Sequence, residues 1–92
     1  MKRCEYKVPG GKLLCAKAKV EDGKISWLQI SGDFFLLPET DLEDLERQLL
    51  GTDAAPESVK DKVVSFFSER KTTLVGASAE DFAHVINTAI SS

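Results

Sequence analysis

The sequence predicts a single α+β domain over residues 1–92, in which a three-stranded antiparallel sheet is followed by three helices packed on one face, giving two layers. Two observations predict this fold. Up to about residue 32, short alternating segments are separated by turn-forming residues that include glycine. From about residue 40 onward, apolar residues instead recur at helical spacing. Strands and helices segregated in this way favour an antiparallel sheet with the helices in a second layer.

Three strands are predicted from the turn signals. Residues 2–8 and 12–20 should form a hairpin around Pro9-Gly10-Gly11, because these residues interrupt regular structure. Asp22-Gly23 is a stronger signal, since both central positions of a type I′ turn need positive φ. Residues 24–31 should therefore return antiparallel to the second strand.

The strand register follows from the Asp22-Gly23 turn. Counting back from it pairs Val20 with Ile25 and Ala18 with Trp27. This register predicts a core face made of Leu14, Ala16, Ala18, Val20, Ile25 and Trp27. The opposite face would carry Lys17, Lys19 and Ser26 near the turn, and Leu13, Cys15, Leu28 and Ile30 at its far end. The sheet is therefore expected to be apolar on both sides at that end.

Three helices are predicted after the sheet. The first starts with Thr40 as N-cap and Glu43 as capping-box partner, ends at Gly51 and buries Leu42, Leu45 and Leu49. Its water-facing residues are expected to be Glu43, Asp44, Glu46, Arg47 and Gln48. The second runs from about Pro56 to about Arg70 and buries Val59, Val63, Phe66 and Phe67. Residues 71–77 form a connector or a short edge strand, and Ser78 caps a third helix that buries Phe82, Val85, Ile86, Ala89 and Ile90.

Composition and charge exclude several classes of protein. The net charge is −3 and the twelve Lys and Arg residues are scattered among fifteen acidic ones, which argues against a nucleic-acid-binding surface. The longest apolar run, residues 34–37, is far below the ~20 residues that cross a bilayer, and the N-terminus lacks the apolar core of a signal peptide. We therefore expect a cytoplasmic protein.

The familiar catalytic motifs are missing from the sequence, which has no nucleophile elbow, no phosphate-binding loop and no zinc-protease motif. Gly10-Gly11-Lys12 could cradle an anion through its backbone N–H groups, or could simply be a flexible turn. His84, the sole histidine, falls on the polar side of the third helix and is interpreted as solvated. No metal site is predicted.

The two cysteines leave two questions open. Cys4 and Cys15 would face each other across the first hairpin in one register but not in the neighbouring one, and a reducing cytosol disfavours a disulfide. Cys15 could be a reactive thiol beside Lys17 and Lys19, as in a small sulfur or iron–sulfur scaffold protein, or an inert mid-strand hydrophobe. The scaffold protein is the alternative hypothesis for function.

Several runs of residues carry a family resemblance. They are Lys7 to Leu13 (KVPGGKL), Asp22 to Ile25 (DGKI), Ile30 to Phe35 (ISGDFF) and the segment from Leu45-Glu46 to Leu50-Gly51. This pattern resembles the C-terminal accessory domain of lipoate-protein ligase A, and most closely the form in which that domain is a separate chain. The match is sharpest at KVPGGKL and GDFF.

The resemblance implies a function without a catalytic residue in this chain. In the family, a large subunit binds ATP, Mg²⁺ and lipoate, forms lipoyl-AMP and transfers the lipoyl group to a lysine of a carrier domain. The expected partner is that large catalytic subunit, in a heterodimer, and no cofactor is expected to bind this chain alone. The expected interface consists of Lys7, Gly10, Gly11, Lys12, Leu13, Cys15, Leu28, Ile30, Gly32, Asp33, Phe34 and Phe35. Lys12 either neutralises nucleotide phosphate or is a solvated hairpin lysine.

A third reading, a lipoyl or biotinyl carrier, fits poorly, because three amphipathic helices do not belong to that all-β fold.

Overall fold

The computed structural model describes residues 2–91 and has the predicted α+β architecture. Its strands and helices are β1 (Lys2–Lys7), β2 (Leu13–Glu21), β3 (Lys24–Gly32), β4 (Phe35–Leu37), α1 (Thr40–Leu49), α2 (Pro56–Arg70), β5 (Thr73–Val75) and α3 (Ala79–Ser91). The first three strands form one antiparallel sheet in the order β1-β2-β3, as predicted. A second, two-stranded sheet pairs β4 with β5, and the sequence reading did not foresee that pairing.

A β-bulge between β2 and β3 changes the predicted register. Val20 pairs with Ile25 as expected, but one extra residue in β3, Ser26, shifts the next pairs to Lys19 with Trp27 and Ala18 with Leu28. The predicted pairing of Ala18 with Trp27 is therefore wrong. Since side chains alternate along a strand, the shift turns Trp27 outward and turns Leu28 and Ile30 inward.

The bulge also overturns the predicted composition of the two sheet faces. Leu28 and Ile30 are only 6% and 3% exposed and belong to the core, so their assignment to the uncovered face is wrong. Trp27, expected in the core, is 36% exposed. The uncovered face is consequently more polar than the sequence suggested.

The core lies between the sheet and the helices. Helix α3 packs across β1 and β2, α1 packs on β3, and α2 packs against α3 and α1. The predicted stripe of α2 is confirmed, as are those of the other helices apart from Leu42 and Ile90, which are only half-buried. The largest fully buried side chains are Phe82, Leu14, Ile25, Leu45, Leu49, Ile86, Val59, Val63 and Val85.

The helix ends match two of the three predicted caps. Pro56 occupies the first turn of α2, and Ser78 caps α3 by accepting a 3.2 Å hydrogen bond from the Asp81 N–H. The predicted capping box of α1 is wrong, because Thr40 is already helical and Glu39 stands at the N-cap without a side-chain hydrogen bond.

The outer edge of β3 is covered by other parts of the chain. The Glu46 carboxylate of α1, predicted to face water, instead accepts a 2.7 Å hydrogen bond from the Ile30 N–H. The Ile25 carbonyl accepts from the Gly51 N–H at 2.8 Å, and the Ile25 N–H donates to the Thr52 carbonyl at 2.9 Å. These bonds satisfy backbone groups that an edge strand would otherwise present to another chain. Over residues 2–91, no helix combines the length and apolar character needed to cross a bilayer.

Candidate functional site

The two segments with the sharpest family resemblance meet at one end of the sheet, here called the motif end (residues 7–13 and 32–35). The turn between β1 and β2 closes tightly, with the Val8 N–H donating to the Lys12 carbonyl at 2.8 Å and the Gly11 N–H donating to the Val8 carbonyl at 2.9 Å. The Asp33 N–H then donates to the Leu13 carbonyl at 2.9 Å. This last bond joins the KVPGGKL turn directly to the GDFF corner.

Two glycines allow the backbone segments of the motif end to approach closely. Gly32 has φ +148°, and a Cβ there would lie 2.1 Å from the Leu13 carbonyl oxygen. Gly76, just after β5, has φ +97°, and a Cβ there would lie 2.8 Å from Cγ of Lys12. The aliphatic stem of Lys12 therefore lies against the backbone that follows β5. The hairpin, the corner and the second sheet form one contiguous surface.

The two phenylalanines of the GDFF corner point in opposite directions. Phe34 is half-buried and meets Phe82 of α3 edge-on, with 4.9 Å between ring centroids. Phe35 is 67% exposed and pairs in register with Val75 of β5. Phe34 thus anchors the corner to the core, while Phe35 projects into solvent.

The outer side of the second sheet is an exposed apolar patch, here called the ribbon face (Phe35, Leu37 and Val75). These side chains are 67%, 57% and 52% exposed, whereas Leu36 between the first two is buried. The pairing of Phe35 with Val75 puts both side chains on the same side of the ribbon, and strand alternation puts Leu37 there too. A shallow cavity of about 290 Å³ adjoins it, lined by Phe34, Phe35, Leu36, Glu39 and Leu42. Clustered exposure of large apolar side chains is typical of an interaction site.

A polar network fixes the base of the ribbon. The Asp41 carboxylate, only 4% exposed, accepts hydrogen bonds from the Thr72 hydroxyl at 2.6 Å and from Arg70 Nη1 at 3.2 Å. Arg70 also donates to Asp44 at 2.7 Å, and its guanidinium lies 4.7 Å from the centre of the Phe66 ring. Because these residues come from α1, α2 and the start of β5, the ribbon is held on a rigid support.

The structure gathers most of the predicted interface residues at the motif end. Lys7, Gly10, Gly11, Lys12 and Asp33 are exposed there, and Leu13 is 38% exposed. Cys15 is half-buried on the uncovered face, and Gly32 serves the close backbone approach. Leu28 and Ile30 do not belong to any exposed surface. Sequence reasoning missed Leu37 and Val75, although the apolar run from Phe34 to Leu37 was itself a signal.

The thiols and the histidine do not form a reactive cluster. Cys4 lies opposite Ala16 and Cys15 lies opposite Glu5, so their side chains point to opposite faces of the sheet and both cysteines are free. Burial raises the pKa of the Cys4 thiol, and the proximity of Cys15 and Glu5 raises it further. A nucleophilic thiol needs the opposite shift. His84 is exposed, as predicted, with its ring 4.4 Å from that of Tyr6.

A larger surface depression lies near the other end of β2, away from the motif end. It has a volume of about 440 Å³, is open to solvent, and includes Lys24, Thr52, Asp53, Asp61 and Lys62 in its lining. The Lys24 ammonium contacts Asp53 at 2.9 Å and lowers the pKa of that carboxyl. Across residues 2–91, no group of three or more His, Cys, Asp or Glu side chains could hold a metal ion. The motif end and the ribbon face combine exposed turn residues with exposed apolar side chains, and they are therefore the better candidate for a binding site.

Comparison with known proteins identifies a family and a solved structure of similar fold. Residues 3–86 match the family described as "Bacterial lipoate protein ligase C-terminus". A solved structure of an archaeal lipoylation system, described as a bi-partite lipoate protein ligase and its E2 lipoyl domain from Thermoplasma acidophilum, contains a chain of similar fold. That chain is 27% identical, with a TM-score of 0.80, and the match covers 91% of each chain. No curated protein sequence matches this chain.

Proposed function

We propose, from the premise that this chain belongs to the family of the bacterial lipoate protein ligase C-terminus, that it is the accessory subunit of a lipoate-protein ligase. The match spans almost the whole chain, and the similar archaeal chain comes from a ligase described as bipartite. In a ligase of that kind, the remaining part of the enzyme is supplied by a second chain. That second chain is the large catalytic subunit.

In this proposal the chemistry belongs to the catalytic subunit. The catalytic subunit binds ATP, Mg²⁺ and lipoate, activates lipoate as lipoyl-AMP, and transfers the lipoyl group to a lysine of a carrier domain in the cytoplasm. The present chain binds no cofactor of its own and supplies no nucleophile, acid or base. Its contribution is to bind the catalytic subunit in a heterodimer and hold the active site closed to water while the adenylate forms.

The observation that carries the proposal is the placement of the family motifs beside the ribbon face. KVPGGKL and GDFF are joined by the bond between Asp33 and Leu13, and the same corner exposes Phe35. Stable subunit interfaces are built on a buried apolar centre with a polar rim. The ribbon face supplies such a centre, and the exposed residues of the turn supply the rim.

The proposed interface therefore differs in part from the one expected from the sequence. It keeps Lys7, Gly10, Gly11, Lys12, Leu13, Asp33, Phe34 and Phe35, and adds Leu37 and Val75. It omits the buried Leu28 and Ile30, the half-buried Cys15 on the open side of the sheet, and Gly32, whose role is the close backbone approach. Lys12 lies in the rim, with its aliphatic stem against Gly76 beside the ribbon face. If the nucleotide site of the catalytic subunit faces this corner, the Lys12 ammonium neutralises phosphate charge there.

Reconstitution tests the proposal. The chain and the cognate catalytic subunit are purified separately, mixed, and assayed in two steps, with pyrophosphate release reporting lipoyl-AMP formation and intact mass reporting lipoylation of an E2 lipoyl domain. We expect a stable one-to-one complex, no turnover by the chain alone, and adenylate formation that depends on its presence. A catalytic subunit that forms lipoyl-AMP equally fast without this chain, and does not bind it, would refute the proposal.

A further inference from the structure

The uncovered side of the three-stranded sheet is a second exposed surface, here called the open sheet face. The register places on it alternate residues of each strand, including Arg3, Glu5 and Lys7 of β1 and Cys15, Lys17 and Lys19 of β2. Because of the bulge, β3 contributes Trp27, Gln29 and Ser31. Within residues 2–91, no helix packs on this face, because α1 lies along the outer edge of β3 and α2 and α3 lie on the other side of the sheet.

The open sheet face is positively charged in an acidic chain. Its five basic side chains, Arg3, Lys7, Lys17, Lys19 and Lys24, outnumber its three acidic ones, Glu5, Glu21 and Asp53, which leaves a formal charge of +2. The whole chain has a net charge of −3, so the negative charge is concentrated on the remaining surface.

Two of these cations are available to a further partner. Arg3 contacts Glu5 at 3.4 Å and Lys24 contacts Asp53 at 2.9 Å, so both are already paired. Within residues 2–91, Lys7, Lys17 and Lys19 form no ion pair, but Lys7 belongs to the proposed subunit interface. Lys17 and Lys19 therefore remain, and Lys19 lies directly opposite the exposed Trp27. An aromatic ring flanked by unpaired lysines is a composition that favours contact with carboxylates beside an apolar surface.

We propose that the open sheet face docks the carrier protein that receives the lipoyl group, through an acidic patch near the target lysine of that carrier. The inference rests on the proposed function and extends it, because the ribbon face and the open sheet face differ in kind. The ribbon face is apolar and suits a lasting subunit contact. The open sheet face is charged and hydrated, which suits a transient partner that binds and dissociates in every turnover.

Charge reversal on the open sheet face tests this proposal in the complete enzyme. The double variant Lys17→Glu/Lys19→Glu is compared with Lys60→Glu/Lys62→Glu, which makes the same charge change at exposed positions of α2. For lipoyl transfer to an E2 lipoyl domain, we expect the first variant to raise the KM for the acceptor by about tenfold with kcat unchanged. Added salt should raise the KM of the wild-type enzyme for the acceptor, and the difference in KM between wild type and Lys17→Glu/Lys19→Glu should then decrease. The α2 variant should transfer like wild type.

A binding measurement without the catalytic subunit separates this proposal from the proposed function. The ¹⁵N-labelled chain is titrated with the apo E2 lipoyl domain, and the amide shifts should be confined to β1, β2 and β3. A second titration uses a lipoyl domain whose carboxylates near the target lysine are changed to amides, and the shifts should then be lost. These results would stand even if the chain failed to stimulate adenylate formation.

Four results would overturn the inference. Transfer kinetics of Lys17→Glu/Lys19→Glu that match those of the α2 variant would remove the docking role. Loss of the complex with the catalytic subunit would assign the face to the subunit interface. Concentration-dependent self-association abolished by the same reversal would assign it to a second copy of the chain. Binding of duplex DNA abolished by the reversal would assign it to nucleic acid.

Discussion

The Thr72 hydroxyl donates a 2.6 Å hydrogen bond to the buried carboxylate of Asp41, and so ties the residue before β5 to the helix that follows β4. The two strands of the ribbon are thereby fixed at their base as well as along their length. A partner that binds the ribbon face meets a preformed surface, and little conformational freedom is lost on binding.

Removal of this buried carboxylate should destabilise the whole domain. In Asp41→Ala, the Thr72 hydroxyl loses its acceptor and Arg70 loses one of its two carboxylates. We expect the free energy of unfolding to fall by about 2 kcal/mol, measured by urea denaturation. Asp44→Ala is the control, because it removes only more exposed ion pairs and should cost less than about 1 kcal/mol. Equal losses for both variants would contradict the assigned role of Asp41.

The close backbone approach at Gly32 predicts intolerance of any side chain there. A Cβ at 2.1 Å from the Leu13 carbonyl oxygen would push β2 and β3 apart at the motif end. We expect Gly32→Ala to lower stability by about 3 kcal/mol, or to prevent folding. Gly11→Ala is a matched control in the adjacent turn, since nothing lies within 4 Å of its added Cβ. Similar melting temperatures for the two variants would contradict this account.

The ribbon face should be needed for subunit binding but not for folding. Phe35→Glu places a charge on a side chain that is 67% exposed, so the stability of the isolated chain should hardly change. The dissociation constant of the complex with the catalytic subunit should rise by about 100-fold. Val64→Glu, at a 38% exposed position of α2, provides the control and should bind normally. Calorimetric titration measures both, and unimpaired binding by Phe35→Glu would place the interface elsewhere.

Glu46 gives the domain a pH-dependent element. Burial raises the pKa of this carboxyl, the nearby Glu43 charge adds to the rise, and the hydrogen bond from the Ile30 N–H opposes it. A carboxyl whose pKa is raised by folding binds its proton more tightly in the folded state. Its contribution to stability is therefore present at low pH and is lost as the pH rises through its folded pKa.

Glu46→Gln should consequently gain stability relative to wild type as the pH rises. The amide can still accept the Ile30 bond, but it never becomes charged. Urea denaturation of both proteins between about pH 4 and about pH 7 measures the difference in unfolding free energy. If the difference in unfolding free energy stays constant, or favours wild type at the higher pH, folding does not raise the pKa of Glu46.

The cysteines should behave as separate, slow thiols. In Cys15→Ser, only Cys4 remains, and its burial should make it react with iodoacetamide more slowly than free cysteine at about pH 8. The difference in reaction rate between Cys4 and free cysteine should decrease as the pH is raised, because the thiolate fraction of Cys4 then increases. Mass spectrometry of the native protein follows the reaction. Modification of Cys4 as fast as that of free cysteine would contradict the raised pKa of this thiol.

The parts of the fold set by local pattern could be predicted from the sequence. The apolar stripe of α2 and the Asp22-Gly23 turn each follow from neighbouring residues, and both are confirmed. The extra residue at Ser26 could not be seen, because a bulge depends on how the strand twists over the core rather than on its own composition. One inserted position was enough to exchange Trp27 with Leu28 between the two faces.

The candidate site was predictable only where a motif marked it. The resemblance at KVPGGKL and GDFF marked the end of the molecule where the ribbon face lies, and Phe35 is exposed there. Leu37 and Val75 were missed, because β4 and β5 have three residues each and are far apart in the chain. Such short strands give no periodic signal, so only the folded arrangement shows their shared apolar side.

The outward position of Trp27 gives the protein an intrinsic fluorescent probe on the open sheet face. It is the sole tryptophan, and its indole lies at the surface rather than in the interior. A binding partner that covers the indole would change its local polarity, so the fluorescence emission maximum should shift without any attached dye. Stopped-flow fluorescence would then measure the association and dissociation rates directly, using an acceptor that contains no tryptophan.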